Sequence, residues 1–312
     1  MIIILLAKKP ALPSAAKAAA GILALFLLCY FLKAPALASG SAREALAVCA
    51  SGLIPALFPF LVLTGILNGS GMPEAAAALL GKPIGKLFGL PPAAAYPILM
   101  GAIGGFPIGA VTTGELYERG ALTAEEAERL CSFTNNVSPA YCIGGIGAAL
   151  YGDAALGVRL YFCQLAAALL IGILQRKPCA GTVALPARRT QPISVLITGA
   201  VTNAALTMLK ICAFAVFFAV VGDALCLVLS SKIGEAGCTF AAALTELTLA
   251  VRRCAASGGS IPLLGFAAGY AGLSVHMQVS AVLDGSGLRL NRYHACKLVQ
   301  GIVTALLLQL TV

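Results

Sequence analysis

The sequence predicts an all-α membrane protein with about seven transmembrane helices plus two re-entrant helical hairpins, in a transporter-like inverted repeat. Three observations carry the prediction. Of 312 residues, 60% are hydrophobic and only 11% charged, whereas a soluble domain carries about 25% charged residues. The apolar residues fall in runs near the roughly 20 residues that cross a bilayer as a helix. Residues 133–165 also align with 266–298 without a gap, pairing Gly152 with Gly285 and Arg159 with Arg292.

Apolar segments stand at 18–37, 45–66, 92–114, 133–152, 154–174, 209–230, 236–252, 264–284 and 294–311. Residues 1–39 read as an N-terminal membrane helix whose basic end, with Lys8, Lys9 and Lys17, stays cytoplasmic. Ala36-Leu37-Ala38 resembles a signal-peptide cleavage site, but further spans follow at once and favour an uncleaved helix. Residues 40–175 form a first repeat with a hairpin at 133–152. Residues 176–194, with Arg176, Lys177, Arg188 and Arg189, form a basic cytoplasmic linker. Residues 195–312 form the second repeat, with a hairpin at 264–284.

The inversion follows from charge. If 133–152 and 264–284 fold back rather than cross, Lys82, Lys86, Arg176, Lys177, Arg252, Arg253, Arg289 and Arg292 fall inside. The acidic loop with Glu115, Glu118, Glu125, Glu126 and Glu128 then falls outside, in accord with the bias of Lys and Arg towards the cytoplasm. Hairpin one opens outward and hairpin two inward.

Composition also excludes classes of function. The net charge of +9 comes from residues at the ends of apolar runs, and there is no Trp. A nucleic-acid groove of basic and aromatic residues is therefore not expected. The eleven cysteines form no C-x-x-C pair and lie mostly in apolar runs, so neither a metal site nor a disulfide framework is expected. No nucleophile–base pair, H-E-x-x-H or phosphate loop is visible, so an enzyme is not expected, nor a cofactor beyond an unknown coupling ion. The expected partners are the lipid bilayer and a small-molecule solute, with a homo-oligomer open.

Candidate site residues are polar or helix-breaking groups inside apolar sequence. Gly104-Gly105-Phe106-Pro107-Ile108-Gly109 should break a helix and free backbone for a ligand, or else mark a kinked, tightly packed span. Glu115 follows it, as a coupling residue or a solvated one. Asn135, Asn136 and Ser138 offer donors and acceptors at the first hairpin, and Pro139 ends helical geometry. Glu246 is the one acidic residue well inside an apolar segment and a functional candidate by default. Ser274, His276 and Gln278 share one side of an extended second hairpin, with His276 a proton carrier or a satisfied core residue. Lys210, Asp223 and His294 lie nearer segment ends.

Gly105-Phe-Pro-Ile-Gly109, Leu116-Tyr117, Phe133-Thr-Asn-Asn136 and Gly272-Leu-Ser274-Val-His276-Met-Gln278 resemble the sporulation integral membrane protein YlbJ family, which carries the nucleoside-recognition, or Gate, domain. The resemblance covers roughly residues 40–311 and implies a role in spore formation and a dipicolinic acid-like substrate. It also implies distant kinship with nucleoside transporters, whose Asn-x-Ser-Ser run is missing here. The expectation is a transporter or facilitator of a small polar solute in the bacterial cell membrane. The alternatives are a non-transporting sporulation membrane scaffold or a nucleoside transporter.

Overall fold

A computed structural model describes residues 15–178, 192–258 and 260–312, and every element among them is helical. Lys8, Lys9, Arg188 and Arg189, with most of the basic linker, lie outside the described residues. Helix α1 (Ala15–Lys33) bends by 109° into α2 (Pro35–Val48), which passes through a wide turn at Cys49–Leu53 into α3 (Ile54–Gly69). Helix α4 (Met72–Phe88) buries Pro73, Ala76, Gly81 and Phe88 and lies at 101° to the segment that follows. Then come α5 (Ala95–Gly104), α6 (Ile108–Glu118), α7 (Ala124–Thr134), a π-wound helix (Ala140–Leu150) and α8 (Ala154–Leu174). The second half holds α9 (Ile193–Thr245), α10 (Leu247–Ala256), α11 (Ile261–Tyr270), α12 (Gly272–Val282) and α13 (Asn291–Thr311).

Helix α9 is two limbs. At Gly234 the backbone takes φ 63°, ψ −172° and the chain doubles back. Cys226 and Cys238 then face each other, each thiol on the other's backbone carbonyl at 3.3 and 3.7 Å. A straight helix would hold them about 18 Å apart.

Two pairs of short helices fold back on themselves. A Cβ placed on either Gly101 of α5 or Gly109 of α6 would collide with one and the same atom, the carbonyl oxygen of Thr134. Eight residues of straight helix span about 12 Å, so the chain reverses between them. Likewise, on the first limb of α9, Cys226 meets Cys238 of the second limb while Asp223, one turn away, pairs with Arg253 of α10 (2.7 Å), although a straight helix would hold residues 238 and 253 about 22 Å apart. The tips of these hairpins are Gly105–Pro107 and Glu246.

Helices α8 and α13 run in opposite directions. Arg159, near the start of α8, donates to the carbonyl of Thr311 at the end of α13 (3.3 Å). At the other end Lys177, just past α8, meets Glu125 (2.5 Å), which also faces Arg292 at the start of α13 (4.0 Å). Helix α11 packs closely on α13, where Gly265 and Gly269 leave room for the backbone of Gly301 and Ala305. Small residues at such a crossing let helices approach where lipid supplies no hydrophobic drive.

Three parts of the sequence reading change. Segments 133–152 and 264–284 are not folded-back hairpins. Each is a helix, an unwound break and a second helix, and α11 and α12 share no packed face. The hairpins lie one element earlier in each half. Second, the acidic loop does not sit opposite the basic one. Glu125 pairs with Lys177, and Glu128 accepts from the backbone of Arg289 (2.8 Å), so these groups share one end. Arg252 and Arg253 pair instead with Glu44 and Asp223. Third, the equally long helices α8 and α13 start about one helical turn further apart than the gap-free alignment implies, so Arg159 and Arg292 hold different positions. Among the described residues, three helices are long and apolar enough to cross a membrane, or up to five if each bent pair is one span, against about seven expected.

Candidate functional site

Four helix starts line one central, partly open cavity. Gly105 and Phe106 precede α6, Val137 and Ser138 precede the π-wound helix, Glu246 to Thr248 open α10, and Val275 lies in the first turn of α12. Ile211, Ala215 and Leu57 close the side. Backbone N–H groups at a helix start lack partners within the helix and carry partial positive charge, which suits acceptor atoms of a solute.

Each break is built by its residues. Gly105 takes φ 80°, ψ −172°, and a Cβ there would stand 2.8 Å from that of Ser138, so only glycine fits this tip. Glu246 has extended backbone and caps α10. Its Oε2 accepts from the backbone N–H of Leu249 (2.7 Å) and the hydroxyl of Thr248 (2.5 Å). It is 2% exposed and lines the cavity. Gln278, also lining, donates to Ser274 (3.3 Å).

The unwound segment after α7 is held by polar side chains from the middles of α8 and α13. Gln164 receives the backbone N–H of Val137 (3.1 Å) and donates to its carbonyl (2.6 Å). Gln300 donates to the Asn136 side chain (2.8 Å) and to the Gln164 carbonyl (3.1 Å). Lys297 donates to the Asn135 carbonyl (2.7 Å) and to Gln300 (2.8 Å), with its ammonium 5.4 Å from the Phe106 ring centre. All three side chains are fully buried. Unpaired backbone in lipid costs several kcal/mol per group, which explains why polar residues sit there.

The structure therefore sorts the predicted residues. Gly105, Ser138, Glu246 and Gln278 meet at the cavity. Asn135 and Asn136 build its wall. Asn135 accepts from the N–H of Ala110 (2.9 Å) and donates to the Cys131 carbonyl (2.9 Å), and Asn136 donates to the Phe133 carbonyl (3.0 Å). Pro107 caps α6 and Ser274 lies behind Gln278, neither lining the cavity. His276 is away from it, buried against Tyr270, Tyr293 and His294. Its Nε2 lies 2.9 Å from the Tyr270 carbonyl and its Nδ1 2.9 Å from Nδ1 of His294. A carbonyl only accepts, so Nε2 carries the proton and, with both rings neutral, His294 donates to His276. Glu115 is not at the cavity either; Asn68 donates to it (2.6 Å) towards the Lys177 end. Asp223 pairs with Arg253 (2.7 Å). Sequence reasoning missed Gln164, Lys297 and Gln300. Lys297 carried the same signal as Glu246, a charge within an apolar helix.

At the end of the molecule, the exposed Glu125 carboxyl is held below the usual carboxylate range by the hydrogen bond and charge of Lys177.

The chain is thus a multi-pass helical membrane protein with a mostly apolar central cavity into which Ser138, Glu246, Thr248 and Gln278 bring polar groups. It is 23% identical over 330 aligned residues to the sporulation integral membrane protein YlbJ of Bacillus subtilis (strain 168), covering 92% of this chain and 80% of that protein. The chain is a homologue of that protein. No family model matches the chain, and no solved structure matches it.

Proposed function

We propose that the chain is a transporter or facilitator that passes a small polar solute between the tips of two oppositely oriented hairpins, with a role in spore formation. The sporulation role rests on the name of its Bacillus relative. The transport reading rests on one observation above the others: four helix starts and the Glu246 carboxylate line one cavity. Inverted repeats with broken helices around a midplane site are how secondary transporters are built. The antiparallel course of α8 and α13, and a folded-back hairpin in each half, support that architecture here.

The helix starts favour a solute rich in acceptors, in keeping with the dipicolinate-like dianion that the family resemblance implies. Glu246 at the same cavity opposes a bare anion, so a proton or cation on Glu246 accompanies an anionic solute. Gln278 and Ser138 supply neutral contacts, and Glu246 is the coupling group. The test is flux in liposomes carrying the full-length purified protein, with dipicolinate, nucleosides and small dicarboxylates offered in turn. Uptake of one class that is lost in Glu246→Gln and Gln278→Ala supports the reading. No flux of any class by folded protein assigns the chain to the scaffold alternative.

A further inference from the structure

A second, polar cleft runs from the central cavity to the end of the molecule that carries Lys177 and Arg292. On α3, Leu57 faces the central cavity, and Leu61, Thr64 and Asn68 continue the same helical face along the cleft. On α9 the matching stripe is Ile211, Thr207 and Asn203. On α6 it is Ile108, Val111 and Glu115. A contiguous hollow that shares Glu115, Asn203 and Thr207 with the cleft reaches Ser286, in the loop before α13. Between cleft and cavity stand Leu61, Ile108 and Ile211, buried in one apolar cluster.

Five polar side chains on three helices, Thr64, Asn68, Glu115, Asn203 and Thr207, face this hollow, where lipid-facing positions would be apolar. Their spacing follows the helical repeat, so they form a lining rather than scattered polar positions. One wall, α6, is the returning arm of the first hairpin, whose tip is at the central cavity.

We propose that this cleft is the route by which solute passes between the central cavity and the Lys177 end, with Leu61, Ile108 and Ile211 as its closed gate. The inference rests on the transport reading above. Withdrawal of α3 and of the first limb of α9, which carry Leu61 and Ile211, from Ile108 opens the apolar cluster and joins the two spaces. The gate is apolar, so it excludes ions and polar solutes when shut without any charge to bind them.

The test uses the full-length protein in sealed vesicles of known orientation, with Asn203→Cys and Thr207→Cys made separately. A membrane-impermeant, sulfonate-bearing thiol reagent is added from one side or the other, and the parent protein sets the background from its own cysteines. The expected result is labelling only from the side that labels a cysteine at Lys177. The adduct should cut flux at least tenfold, and transported solute should slow the labelling. Ile211→Ala should leave the protein folded, by its thermal melt, and raise labelling of a Ser138→Cys variant from that same side. Labelling from neither side, or an adduct that leaves flux intact in a transporting protein, overturns the route while the central site stands. Absence of flux in the unmodified protein overturns the transport reading itself.

Discussion

The ammonium of Lys297, on α13, donates to the backbone carbonyl of Asn135, at the end of α7, over 2.7 Å. One buried amino group in the second half thus closes the break in the first. The bond places Lys297 behind Phe106, a tip residue of the first hairpin, so the same side chain supports two parts of the cavity wall.

Lys297→Met keeps the volume but removes both hydrogen bonds. A hydrogen bond from a charged group is worth about 1.5–3 kcal/mol. The desolvation relieved by removing the charge offsets part of this. We expect a loss of about 2 kcal/mol, read as a lower melting temperature in detergent, together with weaker solute binding. An unchanged melt with unchanged binding would show that the break at Asn135 needs no ammonium.

Glu246→Gln and Glu246→Ala separate capping from charge. The Gln variant keeps an oxygen for the Leu249 N–H, and its stability should stay within about 1 kcal/mol of wild type. Glu246→Ala loses the cap as well and should cost about 1 kcal/mol more. Both should lose coupled flux. Full flux in the Gln variant with an intact proton or cation dependence removes Glu246 from the coupling role.

Asn136 and Gln278 should fail differently. Both side-chain ends of Asn136 are bonded within the protein, so Asn136→Ala takes from the Gln300 amide its shorter bond, leaving it the Gln164 carbonyl, removes the donor to the Phe133 carbonyl, and should cost about 1–3 kcal/mol. Gln278 lines the cavity and makes one long bond, so Gln278→Ala should leave the melt nearly unchanged and raise the solute Kd. The paired measurements are thermal melting and solute binding on each variant. The opposite pattern would exchange wall and contact residues.

The Lys177–Glu125 pair makes a prediction about acid and about topology. Its carboxyl is depressed in the folded protein, so the pair's small contribution is present above the ordinary Glu pKa of about 4.3 and is lost as pH falls through the folded value. Lys177→Gln should therefore lower the melt slightly at neutral pH, less so in high salt, and not at all at strongly acid pH. Cysteines at 125 and 177 should also label from one and the same side of the membrane. Labelling from opposite sides would refute the placement of the acidic loop.

The all-helical membrane character was legible because lipid punishes exposed polarity, and Glu246 stood out as a lone carboxylate in apolar sequence that the fold buries. The hairpins were not placed correctly, for a physical reason. Gly104–Pro107 and Asn135–Pro139 both read as helix breaks, and a break does not say whether the chain turns back or passes on unwound. That is decided by what meets the freed backbone. At Val137 it is Gln164, on another helix. The acidic loop was misplaced because Lys and Arg carry the orientation signal and Asp and Glu contribute little to it. Glu125 follows its attraction to Lys177 instead. The role of Asn135 and Asn136 was hidden because nothing in their local sequence reveals Lys297 and Gln300, more than 160 residues away.

A pump stroke needs a stator. The amides of Gln164 and Gln300 weld α8, α13 and the stretch 135–137 into one seam. Any piece sliding out of that seam would strand several polar groups in oil at once. The seam therefore holds still, and it holds the first hairpin with it, because Ala110 of α6 donates to Asn135 (2.9 Å) and Tyr161 of α8 donates to the Ala102 carbonyl of α5 (3.1 Å).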